Sequence, residues 1–239
     1  MQDKYVGDIG DYGKLALLRA IAGTTLRLGI VWCATSGDAK PNNHGSLRQY
    51  RKYTGKHCLR HCDPALFDAF AIFDDAGSHK IKSLEPLTGA ERFFGELLQN
   101  VDRKTWTENA LQSMSNMDVV FFDPDNGVTE NSNPSPKHIS IKELQQHWIK
   151  GQSLLIYHHL SRKKGGHEQD VEELRRKLGD HFPHATISPL RFKRGTSRAY
   201  FLVCQPNHLH QLHSAIQNPA WLALTMSKEQ WAKNFHPVR

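Results

Sequence analysis

The chain has 239 residues, 38% of them hydrophobic, with 31 Lys and Arg against 24 Asp and Glu, a formal net charge of +7 and fifteen His as a further reserve of charge just below neutrality. That length suits one large α/β domain, and the sequence has neither an apolar run long enough to span a membrane nor a signal-peptide pattern, which points to a cytoplasmic protein. Four Cys spread over the chain fit a reducing compartment, and the basic balance favours a polyanionic partner, most simply nucleic acid.

The first informative stretch runs from Lys4 to Lys14, where Gly7, Gly10 and Gly13 alternate with Asp8 and Asp11. A helix is expected over Leu15 to Ile21, ended by Gly23. A Gly-rich loop at a helix N-terminus presents free N–H groups to a polar ligand. The two acids would repel a bare phosphate and suit a hydroxyl, an amine or a metal, so Gly7, Asp8, Gly10 and Asp11 are candidate cofactor contacts. Asp11 is also the expected helix cap.

Leu26 to Thr35 reads as the first core strand and runs into a polar loop with Ser36 and Asp38, which are further candidates for cofactor binding. The loop does not match G-x-G-x-x-G, so no dinucleotide fingerprint is present. Residues 46–62 are basic with interleaved Tyr50 and Tyr53, and Arg48, Arg51 and Lys52 are candidate nucleic-acid contacts. His57, Cys58, His61 and Cys62 are close together, but their spacing is wrong for a zinc knuckle. Asp63-Pro64 opens a short amphipathic helix. Helices are also expected over 90–100 and over 103–114, making 46–115 a basic helical insertion within a single domain.

Val119 to Phe122 is an unbroken apolar run that ends in Asp123-Pro124-Asp125-Asn126-Gly127. It reads as a central strand buried on both faces and followed by a sharp turn. Ligands in open α/β sheets sit at the carboxyl ends of such strands, so the active site is placed here. Asp123, Asp125 and Asn126 are the candidate catalytic residues. Two acids one residue apart point the same way on an extended chain, which suits Mg²⁺; the proline and amide suit an amine instead.

Ser140 and Glu143 form the expected capping box of a helix over 141–148. A second buried strand from Ser153 ends near His158, a fourth catalytic candidate, and in the basic loop Arg162-Lys163-Lys164. A charged helix over 168–178 follows. After the segment His184 to Pro189, the last two segments, 190–195 and 197–203, are expected as an antiparallel pair, with Arg191, Lys193 and Arg194 as further nucleic-acid candidates. The tail from Pro206 is expected to be helical. The fold class is therefore α/β: three-layer and Rossmann-like, with a mostly parallel sheet and an antiparallel C-terminal pair.

Three motifs carry a resemblance. The stretches D-K-Y-V-G-D-I-G-D-Y-G-K, F-F-D-P-D-N-G and Y-H-H-L-S-R resemble a family of uncharacterised bacterial proteins over most of the chain. The layout is also similar to that of ribosomal-RNA adenine-N6 methyltransferases of the class I, Rossmann-like fold. That resemblance places Gly7 to Asp11 at the methionine end of S-adenosylmethionine, and Asp123-Pro124-Asp125-Asn126 where those enzymes hold the target amine. It also matches Arg194 to Ser197 to their late Gly-rich turn. The chain departs from them at Trp32 to Gly37, where a Gly-rich motif is expected, and after Pro124, where the base-stacking aromatic is missing. The resemblance implies methyl transfer from S-adenosylmethionine to a base amine. The alternative reading is a Mg²⁺-dependent nuclease or phosphodiesterase in which Asp123 and Asp125 hold the metal. A D-x-D phosphatase ranks third, for want of a downstream acidic pair. A non-enzymatic nucleic-acid-binding module would have no need of two carboxylates at a strand end.

Overall fold

The computed structural model describes residues 1–3, 6–36, 49–52, 59–73, 80–99, 101–160, 166–192, 198–219 and 221–222. Eight strands and six α-helices are assigned among them. In chain order they are α1 (Ile9–Ala22), β1 (Leu28–Val31), α2 (Pro64–Ala69), β2 (Arg92–Phe94), α3 (Arg103–Ser113), β3 (Val119–Phe122), β4 (Gly127–Thr129), β5 (His138–Ser140), α4 (Ile141–Ile149), β6 (Ser153–His159), α5 (Gly166–His181), β7 (Thr186–Phe192), β8 (Arg198–Cys204) and α6 (Leu209–Ile216).

Six strands form one sheet in the order β2-β1-β3-β6-β8-β7. The first four are mutually parallel, while β8 runs antiparallel to both β6 and β7. The expected α/β architecture is therefore present, with β8 inserted between β6 and β7. The centre of the sheet is in register through Val31, Phe122, Ile156 and Phe201. All four are fully buried and belong to the core shared with α3, α4 and α5. Their neighbours Ile30, Phe121, Leu155 and Leu202 face the other way, into a core shared with α1, α2 and α6. Strands buried on both faces need apolar residues at every position, which is why the 119–122 run does not alternate. Each such side chain contributes about 1.5–3 kcal/mol relative to exposure.

The structure corrects the expectations at several points. Helix α1 begins at Ile9, not Leu15, so Gly10 and Gly13 lie inside it. Asp8, not Asp11, is its N-cap, accepting from the Asp11 N–H at 2.9 Å. Residues 92–94, expected within a helix, form β2 and pair in parallel with β1. Phe93 packs into the first core and Phe94 into the second, which is a two-residue period. The 46–115 span thus contributes β2 and α3 to the main frame as well as short helices over 49–52, 59–61, 64–73 and 81–87. The turn-rich segment after Asn126 carries β4 and β5, which pair in parallel as a separate small sheet. The capping box of α4 is formed as expected, Ser140 to Glu143 and back. No helix among the described residues is long and apolar enough to cross a membrane.

Candidate active site

The chain runs from β1 outward to β2, then returns to β3 on the other side of β1. The ends of β1 and β3 therefore flank the topological switch point, where open α/β sheets bind their ligands. Asp123 extends the ladder, its N–H donating to the Val31 carbonyl at 3.1 Å. It is buried, and its Oδ2 accepts from Lys14 Nζ at 2.8 Å. The same ammonium donates to Asp11 Oδ1 at 2.8 Å and sits 5.7 Å from the centre of the Trp32 ring. Burial opposes the charge on Lys14, but Asp11 and Asp123 outweigh it and hold the ammonium well above its ordinary pKa. Lys14 therefore stays charged in the core. Burial pushes the Asp11 carboxyl up; Lys14 offsets part of this, and Asp8 adds to it.

Asp125 leaves the turn toward the same side but takes different partners. Its Oδ1 lies 2.8 Å from the Met1 amine, and its Oδ2 accepts from the Thr35 hydroxyl at 2.7 Å and the Gln2 amide at 3.0 Å. Burial raises this carboxyl, but the Met1 ammonium, Thr35 and Gln2 bring it below its ordinary value. The Met1 amine also donates to the Cys33 carbonyl at 2.7 Å. Met1 is thus seated between the ends of β1 and β3, and the two acids of the turn each face a cation of their own. No group of three or more His, Cys, Asp or Glu placed to hold a metal occurs among the described residues. Asn126 is exposed at the tip, with its N–H donating to the Lys137 carbonyl at 2.8 Å.

The Gly-Asp segment is packed rather than open. Asp8 Oδ2 accepts from Arg198 Nη2 at 2.9 Å. A Cβ on Gly10 would fall 2.0 Å from Arg198 Cζ, so the missing side chain is what admits the guanidinium. Gly7 has φ +88° and abuts Phe73, and its N–H donates to Asp11 Oδ2 at 3.0 Å. Burial disfavours charge on Arg198, but Asp8 reverses this and raises its pKa. Tyr157 and Tyr200 lie under the same network; burial pushes the Tyr157 hydroxyl up to about 12 and raises Tyr200 as well. The structure therefore brings Asp8, Asp11 and Asp123 together through Lys14 and Arg198.

His158 is on the opposite side. Along β6, Tyr157 faces α1, whereas His158 packs beside Phe201 of the other core. Its Nδ1 accepts from the Val128 N–H at 3.2 Å, which assigns the ring proton of the neutral imidazole to Nε2. Gly127, at φ +104°, passes so close that a Cβ would stand 2.8 Å from His158 Cα.

Ser36 is exposed at the end of the segment after β1, its N–H donating to Gln99 Oε1 at 3.3 Å. Asp38 lies outside the described residues, as do Arg48, Arg162, Lys163, Lys164, Lys193 and Arg194. Arg51 donates to the Phe67 carbonyl and stacks 4.7 Å from the Phe67 ring centre. Lys52 is exposed, and Arg191 pairs with Glu168 at 2.8 Å. Reading the sequence missed Lys14, Arg198, Tyr157, Tyr200 and Thr35. Only Lys14 left a local signal, as the cation three residues after Asp11 on one helix face. Arg198 is 190 residues from Asp8, a pairing no local pattern announces. Compared with family models, curated proteins and solved structures, the chain matches none.

Proposed function

We propose that the chain is an enzyme acting on nucleic acid, and that its reaction is methyl transfer to a base amine. The observation that carries this reading is the Asp123–Asn126 turn at the switch point of a Rossmann-like sheet, beside the exposed end of the β1 segment at Ser36. Asn126 presents an amide that can accept N–H bonds from the amine and keep its lone pair directed outward. Asp123 acts from beneath, fixing the turn to α1 through Lys14. No strong general base is required of either residue.

The cofactor tests this reading more severely than the substrate does. Gly7, Asp8, Gly10 and Asp11 do not fit the methionine end of S-adenosylmethionine as they are placed. Their carboxylates hold Arg198 and Lys14, the Gly7 N–H holds Asp11, and Arg198 fills the open side of Gly10. Ser36 is the described cofactor candidate whose side chain is open to solvent. The Mg²⁺-nuclease alternative asks Asp123 and Asp125 to converge on one ion, whereas each is bonded to a separate cation. That difference favours methyl transfer over metal-assisted hydrolysis.

Calorimetry with S-adenosylmethionine is the direct test, and binding that is unchanged in Asn126→Ala is the expected result. No heat at millimolar cofactor would reject methyl transfer. Mg²⁺-dependent cleavage of RNA or plasmid that disappears in Asp125→Ala would instead establish the nuclease.

A further inference from the structure

Strand β6 brings two histidines to the end of the sheet, and its alternation sends them to opposite faces. His158 packs beside Phe201, away from Lys14. His159 goes with Tyr157, on the side of α1, and its Nδ1 lies 3.3 Å from the Tyr157 hydroxyl. The backbone N–H of His159 reaches the Asn126 carbonyl at 3.4 Å, so this imidazole is rooted beside the tip of the Asp123–Asn126 turn. Both residues are exposed. Neither the Asn126 side-chain amide nor His159 Nε2 is hydrogen-bonded among the described residues.

The ring is held from below. Tyr157 is buried, its ring centre 5.9 Å from that of its register partner Tyr200, and Arg198 also bonds its hydroxyl. A guanidinium only donates, so the phenolic hydrogen is left for His159 Nδ1. A neutral imidazole that accepts at Nδ1 carries its own proton on Nε2. Partial desolvation, with the Arg198 guanidinium and His167 nearby, keeps the ring below its ordinary pKa, so the neutral form prevails at neutral pH. The sheet edge therefore presents an N–H at His159, the last residue of β6, and an amide at Asn126, in the turn after the adjacent parallel strand β3.

We infer that His159 contacts the substrate, donating a hydrogen bond from Nε2 to the acceptor ring nitrogen beside the target amine. Adenine and cytosine both carry such a nitrogen next to the amino group. With Asn126 accepting from the amine and His159 donating to its neighbour, the pair matches a donor and an acceptor on one edge of the base, the pattern by which base edges are read. A phosphate suits this place less well, because Asp8, Asp11 and Asp123 on the same face outnumber Lys14 and Arg198. The inference rests on the base-amine reading above and names the residue that selects the base; it requires no proton transfer.

Fluorescence anisotropy of the full chain tests it, with labelled single strands of adenine or of cytosine nucleotides and an abasic strand of equal length. His159→Ala should weaken the tighter-binding of the two base-bearing strands about tenfold, the upper end of what one hydrogen bond contributes, and leave the abasic strand unchanged. His159→Gln, whose amide sets a donor near the place of Nε2, should recover most of the loss. Unchanged binding in His159→Ala would overturn the proposal. So would an equal loss on the abasic strand, which would make His159 a phosphate contact. Proton–nitrogen correlation spectra of the His rings need only the parent chain. They should show His159 protonated on Nε2, with that resonance displaced by the base-bearing strand and not by the abasic one; a neutral ring protonated on Nδ1 would also overturn the proposal. The two failures are separable. Preference for a base-bearing strand without any effect of His159 sinks this contact alone, whereas a parent chain that binds neither base better than the abasic strand sinks the base-amine reading as well.

Discussion

At the scale of single residues, Lys14 is the group on which the site depends. Three buried carboxylates, Asp8, Asp11 and Asp123, face two cations, the buried Lys14 and the half-buried Arg198. A buried charge is tolerated only while it is paired, and removing one partner leaves the other uncompensated. Lys14→Met keeps the length of the side chain and removes the charge, so it isolates the ionic part. It should cost about 3–5 kcal/mol in urea unfolding, and adding Asp123→Asn should recover part of that loss. Equal stability of Lys14→Met and the parent would mean that the network is electrostatically idle. Asp123 was legible in the sequence because a strand end and a turn signal coincide there. Its partner was not, because the expected helix starts at Leu15, after Lys14, whereas α1 begins six residues earlier, at Ile9.

At the scale of elements, that misplacement has a physical cause. Glycine lowers helix propensity by about 1 kcal/mol, so three glycines in seven residues read as loop. The propensity is overridden because Gly10 and Gly13 are where α1 meets the sheet: Arg198 fills the space at one and the Phe192 ring the space at the other. Gly10→Ala should therefore lower stability by about 1–3 kcal/mol even though Ala favours the helix, since its Cβ displaces a guanidinium from buried Asp8; a stabilised variant would refute this packing. The Phe93–Phe94 stretch misled for a related reason, as a three-residue strand is too short for its period to be read. By contrast, α4 was legible to its cap because the capping box is wholly local. The same helix carries a pH effect. Burial depresses the His147 imidazole to about 4, and its Nδ1 donates to Gln152 Oε1 at 2.7 Å, since the Gln152 amide already donates to Met114 and Met117. A pKa lower in the folded than in the unfolded chain gives stability that is present above about 6.5 and is lost as pH falls toward 4. Denaturation at about pH 7 and about pH 5 should show a loss of about 2 kcal/mol from this group. His147→Asn keeps a donor without the titration and should remove that share of the slope.

At the scale of the molecule, the charge of +7 has to be reconciled with an acidic turn at the proposed binding edge. The ion pairs resolve the conflict: Asp123 and Asp125 face Lys14 and the Met1 amine, so neither presents an uncompensated charge to a polyanion. Arg162 to Lys164 follow the end of β6, and Lys193 and Arg194 precede the start of β8, where His159 and Arg198 are register partners. Both segments are therefore rooted at one edge of the sheet, the edge that carries Asp123 and Asn126. If these side chains neutralise phosphates, binding must weaken with salt in proportion to their number, with a log–log slope near −0.9 per contact on duplex DNA and about −0.7 on single strands. Replacing Arg162, Lys163 and Lys164 together by Ala should flatten the slope by about 2–3. Arg175 and Arg176 serve as the control, because each is already paired within α5, with Glu172 at 2.6 Å and Asp180 at 3.2 Å. Fluorescence anisotropy with a labelled oligonucleotide across a salt series measures both. An equal change per charge removed in the two sets would mean that the charge acts only through its total, and a flat salt response in the parent would remove nucleic acid as the partner.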